Sequence, residues 1–89
     1  MTQANTTRDH ETIRAWAEAR GGHPASVGGT ARGSEAGILR LDFDPADDAL
    51  DEVSWDAFFE KFDKEGLSFL YQDKTDAGKT SRFHKFIHA

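Results

Sequence analysis

Trp55, Phe58, Phe59 and Phe62 recur at i, i+3, i+4 and i+7, while Asp56, Glu60, Lys61, Asp63 and Lys64 fill the remaining positions. This spacing predicts a helix with one aromatic face turned to a core. Ser54 stands at its N-cap, with Val53 and Phe58 at the spacing of a hydrophobic staple, and Gly66 supplies its stop. An earlier helix is predicted after Thr7 or Asp9 as N-cap, with Glu11 in the first turn, Ile13, Trp16 and Ala17 as the apolar stripe, and Gly21 as terminator.

Strand signals surround the helices. His23 to Val27 is short and extended, and Pro24 marks it as an edge or irregular strand. Gly28 to Gly37 has no side chain to bury beyond Ala and reads as a mobile loop. Leu39, Leu41 and Phe43 alternate with Arg40 and Asp42, the period of a strand, and Asp44-Pro45 ends it. Leu67–Gln72 and Ser81–His88 are predicted as a hairpin joined by the turn-rich Asp73–Thr80. Residues 1–7 are polar and aperiodic, so a disordered N-terminal tail is expected ahead of a single α+β domain over 8–89.

The expected fold is α+β in the order α-β-β-α-β-β: a four-stranded, mostly antiparallel sheet with both helices on one face. Leu39, Leu41, Phe43, Phe69, Tyr71, Phe83 and Ile87 should meet Ile13, Trp16, Phe58, Phe59 and Phe62 between the layers. The two halves echo one another at an offset of about 45 residues. Asp9 corresponds to Ser54, Ile13 to Phe58, Ala17 to Phe62 and Gly21 to Gly66.

Composition narrows the class. The chain has 89 residues, with 7 Phe, 2 Trp and 1 Tyr, so aromatic rings supply most of the burial available to one small core. It has no Cys and no apolar run of membrane-spanning length, which points to the cytoplasm and away from a membrane. A net charge of -5 opposes general binding to a phosphate backbone. The charge is nonetheless uneven: Asp42, Asp44, Asp47, Asp48, Asp51 and Glu52 crowd one loop, and Lys74, Lys79, Arg82 and Lys85 form a basic group on the last hairpin.

Candidate chemistry is weak throughout, and no catalytic residue, cofactor or metal ligand is expected. Ala77-Gly-Lys-Thr80 is similar to the end of a phosphate-binding loop, but Asp73 replaces the required Gly and a strand follows where a helix is needed. His84 and His88 have the spacing of a helical zinc pair, yet on a strand they stand about 13 Å apart. Asp42 and the later acids lack the Gly of a calcium loop, since Asp47 occupies that position. No nucleophile, base and orienter can be assembled from spacing, so the chain is expected not to be an enzyme.

Asp9–Pro24, Ser54–Phe62, Phe69–Thr75 and Ser81–Phe86 together resemble a family of short bacterial proteins of unknown function, some labelled "1,4-alpha-glucan branching enzyme". The resemblance spans nearly the whole chain after its first residues and implies no site residue. The enzyme label conflicts with the chemistry, because glucan branching uses carboxylates on a (β/α)₈ barrel of about 250 residues.

The expected function is that of a non-enzymatic protein-interaction module, associating with a second copy or another protein. Leu70 and Phe86 are its expected contact surface, as both alternate out of phase with the assigned core positions. The alternative is a nucleic-acid-associated protein using Arg8, Arg14 and Arg20, or the basic group Lys74, Lys79, Arg82 and Lys85.

Overall fold

The computed structural model of the chain describes residues 4–30, 37–43, 47–74 and 77–88. Eight elements follow in order: β1 (Ala4–Thr7), α1 (His10–Glu18), β2 (His23–Val27), β3 (Leu39–Asp42), β4 (Leu50–Glu52), α2 (Trp55–Lys64), β5 (Leu67–Gln72) and β6 (His84–His88).

Both helices begin where a side chain can satisfy an orphan amide. Asp9 accepts from the Thr12 amide and Ser54 from the Ala57 amide. Both helices give way to a glycine in the left-handed region, Gly21 at φ 72° and Gly66 at φ 64°, a conformation that costs other residues energy.

The strands do not form one sheet. They form two three-stranded antiparallel sheets, β1-β5-β6 and β3-β2-β4, which corrects the expected single four-stranded sheet and its α-β-β-α-β-β order. The two additional strands come from segments whose sequence carries little strand signal. Ala4–Thr7, expected within a disordered tail, pairs with β5, and Leu50–Glu52, in the acidic loop, pairs with β2. Backbone pairing recruits both despite polar side chains, most of them exposed. Pro24 does not mark an edge: β2 is the central strand. Its carbonyl accepts from the Val53 amide at 3.0 Å, just beyond the end of β4, so only the reciprocal bond of that terminal pair is forgone.

The halves correspond far beyond the helix caps. Each is a β-α-β-β unit, β1-α1-β2-β3 and β4-α2-β5-β6, at the same offset of about 45 residues. The hairpin registers coincide as well: Pro24↔Leu41 and Ala25↔Arg40 in β2–β3 become Phe69↔Phe86 and Leu70↔Lys85 in β5–β6. The units exchange their first strands, since β1 joins the second hairpin and β4 joins the first. The exchanged pairings match to within one residue.

One core draws on both units. Ile13, Trp16 and Ala17 of α1, Phe58, Phe59 and Phe62 of α2, Leu39 and Leu41 of β3, and Phe69 of β5 form a buried cluster. Rings meet edge to face, the favoured geometry for aromatic pairs: Trp16 with Phe69 at 5.3 Å and Phe58 with Phe59 at 5.4 Å. Phe83 and Ile87, expected in this core, are instead 45% and 37% exposed.

Candidate functional site

The register of β5–β6 decides the faces of the last hairpin. Phe86 lies opposite Phe69 and therefore shares its inward face, where it packs against Phe58 at 5.8 Å and Phe62 at 6.5 Å. Leu70 lies opposite Lys85 on the outward face, partly buried. The expected Leu70–Phe86 contact surface is thus not one surface. The outward face carries Leu70, Ile87 and Lys85, with the Lys85 Nζ 5.9 Å from the centre of the Phe83 ring.

The basic group is also divided. Lys74 forms an isolated bridge with Thr80 in the hairpin connection, and Lys79 is exposed nearby. Arg82 lies over the Phe43 ring at 5.3 Å, and Phe43 belongs to the rim of the core, whereas Lys85 leaves from the opposite side. Arg8, Arg14 and Arg20 are each engaged with other groups of the chain. Arg8 donates to the Leu67 carbonyl, and Arg14 pairs with Glu18 at 3.3 Å. Arg20 lies 4.2 Å from the Trp16 ring and donates to the carbonyls of Trp16, Asp73 and Ser81, fastening the end of α1 to the β5–β6 connection.

His84 occupies the inward face among the rings of Trp16, Phe43, Phe69 and Phe86, at centroid distances of 5.4 to 5.8 Å. Burial holds its pKa below the ordinary 6.5; the charge of Arg40 acts in the same direction, and the Arg82 carbonyl opposes it. His10 stacks on Phe59 at 4.1 Å and reaches Asp63 at 2.9 Å, so it ties α1 to α2. Both histidines pack their rings against aromatic side chains, a role that no periodicity in the sequence marks.

A hollow of about 430 Å³ on the outer face of β3-β2-β4 is lined by His23, Asp42, Asp47, Asp48 and Glu52 among others. Its carboxylates serve the backbone: Asp42 accepts from the Asp47 amide and Asp47 from the Ala49 amide. Among the described residues no group of three or more His, Cys, Asp or Glu is placed to hold a metal ion. Ala77–Thr80 is a turn followed by β6, with Gly78 at φ 79°.

A different feature was not visible in the sequence. A cleft of about 470 Å³ runs between β3 and β6, with Ile38, Leu39 and Arg40 on one wall, Phe86 and His88 on the other, and Lys61 of α2 and its C-cap Glu65 among its lining residues. A second hollow of about 270 Å³ continues it along β6, sharing Arg40 and Phe86. β3 and β6 are each the end strand of their sheet. The Gln72 amide donates to the Phe83 carbonyl, which makes Gln72 and Phe83 a hydrogen-bonded pair. Antiparallel alternation then sends the N–H and C=O of His84, Phe86 and His88 away from β5, toward the open edge. On β3 the Val27 amide donates to Ile38, so Leu39 and Leu41 point their backbone groups outward in the same way. Arg40 donates to the Leu39 carbonyl at 2.8 Å and thereby covers part of that edge. Ile38 is 52% exposed at the cleft wall.

No helix among the described residues is long and apolar enough to cross a membrane. Comparison with protein-family models, with curated proteins and with solved structures finds no match to this chain.

The face assignment makes a direct prediction. Phe86→Ser should destabilise the protein by about 3 to 5 kcal/mol, the range for truncating a packed aromatic, whereas Leu70→Ser should cost about 1 kcal/mol or less. Urea melts of the two variants check the order, and equal losses would contradict the register.

A second prediction follows from His84. Because its folded pKa lies below its unfolded value, the unfolded state binds the proton more readily. Stability is therefore full above about pH 6.5 and falls as the pH drops below it. Urea midpoints at pH 7.5 and 5.5 should differ less for His84→Phe than for wild type; an unchanged difference would contradict the buried neutral imidazole.

Proposed function

We propose that this chain is a protein-interaction module that works by binding a polypeptide. The observation that carries this reading is that β3 and β6, the end strands of their sheets among the described residues, border one cleft above α2. An unpaired edge presents a ladder of donors and acceptors that an extended chain satisfies directly, so binding needs no chemistry beyond backbone pairing. Burial adds to it, since Leu39 and Phe86 line the walls and Ile38 stands exposed beside them.

The nucleic-acid reading draws less support, because its cations are divided between faces or engaged with carbonyls of the chain itself. A cytoplasmic location fits a cysteine-free chain. Kinship with the short bacterial proteins noted above rests on sequence resemblance and adds no residue to the site.

Selection of a random dodecapeptide library displayed on phage against the immobilised chain tests the proposal. Enriched peptides that compete with one another for a single site are expected. If no peptide is enriched over a bait-free surface, and the chain stays monomeric by light scattering at several hundred micromolar, the reading fails.

A further inference from the structure

We propose that the cleft between β3 and β6 takes an extended acidic segment of a partner protein, which adds to the β6 edge as a strand with apolar residues facing inward and carboxylates facing outward. The inference rests on the polypeptide-binding reading above and names the chemistry of the partner.

The inward half of this pattern comes from the shared core. The inner faces of both sheets pack on the same helices, as Leu39, Leu41 and Phe69 belong to one buried cluster with Phe86 packed against it. A strand filling the gap between β3 and β6 would extend that layer. Every second side chain would then point at Phe86 and Leu39, beside the paired Lys61 and Glu65, and an apolar group there would cover apolar surface.

The outward half comes from charge. Arg40 and Lys85 occupy equivalent positions in the repeated hairpins, Ala25↔Arg40 and Leu70↔Lys85, each on the face of its sheet turned away from the helices. They therefore flank the seam from its two sides on a chain of net charge -5. Among the described residues Arg40 makes no ion pair, and its hydrogen bond is to the neighbouring Leu39 carbonyl. The one carboxylate among the residues described at the cleft, Glu65, is already paired with Lys61 at 3.0 Å. A carboxylate on the outer side of an added strand would meet Arg40 and Lys85 at the cost of a weak local hydrogen bond. Like charge there would be repelled.

Among the described residues β6 is the less covered of the two edges, because Arg40 lies along β3. The outward-pointing groups of His84, Phe86 and His88 form no backbone hydrogen bond among the described residues, and they lie along both hollows.

Acetylated and amidated Glu-Val-Glu-Val-Glu-Val-Glu is the probe, with Lys-Val-Lys-Val-Lys-Val-Lys as its charge-reversed control. Titration of the ¹⁵N-labelled full chain should shift the amides of Phe86 and His88 and protect them from exchange, with the acidic peptide binding at least about tenfold tighter. The double variant Arg40→Glu/Lys85→Glu, both exposed positions, should reverse that preference. His88→Pro removes one outward N–H at the end of β6 and should weaken binding, whereas Thr6→Pro, which alters the β1 edge, should not. Folding of each variant is read from the same spectra. Equal binding of the two peptides, no binding of the acidic peptide at millimolar concentration, or shifts confined to β1 or β4 would overturn the proposal. If the phage selection yields competing peptides that are not acidic, or that bind the charge-reversed variant unchanged, the polypeptide-binding reading stands and this assignment falls. Pairing of β6 with a second copy, seen as a dimer abolished by His88→Pro, would also overturn it.

Discussion

Neither unit of this protein builds its sheet from its own strands alone. β2–β3 and β5–β6 are two-stranded hairpins, and each gains its third strand from the other half of the chain, β4 and β1 respectively. An isolated two-stranded hairpin is marginal in water, so the exchange is the constraint on which the rest of the structure depends. It places α1 and α2 against one another, tied by the stack of His10 on Phe59, and brings the inner faces of both sheets onto a single aromatic core. It also leaves β3 and β6 as open edges on either side of a seam. The cleft is therefore a consequence of how the units are joined.

Around that seam the two halves differ in chemistry while sharing their register. Arg40 and Lys85 keep a cation at the equivalent outward position, whereas the inward Leu41 of one hairpin is Phe86 in the other. Trp16 of α1, at the position matched by Lys61 in α2, carries the heavier structural load. It packs on Phe69, Phe43, Tyr71 and His84, donates to the Gln72 carbonyl at 3.1 Å, and receives Arg20 on its face. This end of the molecule is closed by Arg20 and the hairpin connection. The Lys61 end opens into the cleft.

The helices were legible in the sequence because their signals are local and redundant: a capping side chain, a stripe at helical spacing and a glycine stop agree at Asp9–Gly21 and at Ser54–Gly66. The halves' correspondence showed through the same caps. Sheet membership was not legible, because Ala4–Thr7 and Leu50–Glu52 are strands only through a partner distant in the chain and present no alternating pattern. The phase of β6 misled for a different reason. Phe86 and Ile87 are adjacent, so either phase of this strand buries an apolar residue, and pattern alone does not separate them. In the structure the His84 ring is packed among four aromatic rings. With that phase reversed, the expected pairing of Leu70 with Phe86 as one surface dissolved, and the cleft depends on a tertiary arrangement that no local pattern encodes.

Fragment complementation tests the strand exchange most directly. Residues 1–45 and 46–89 would be produced separately and compared, alone and mixed, by ¹⁵N correlation spectra and light scattering. The account predicts that each fragment alone gives the narrow dispersion of an unfolded chain. The mixture should assemble one to one and recover the spectrum of the intact protein. Two fragments that each fold alone as monomers, and do not bind one another when mixed, would contradict it.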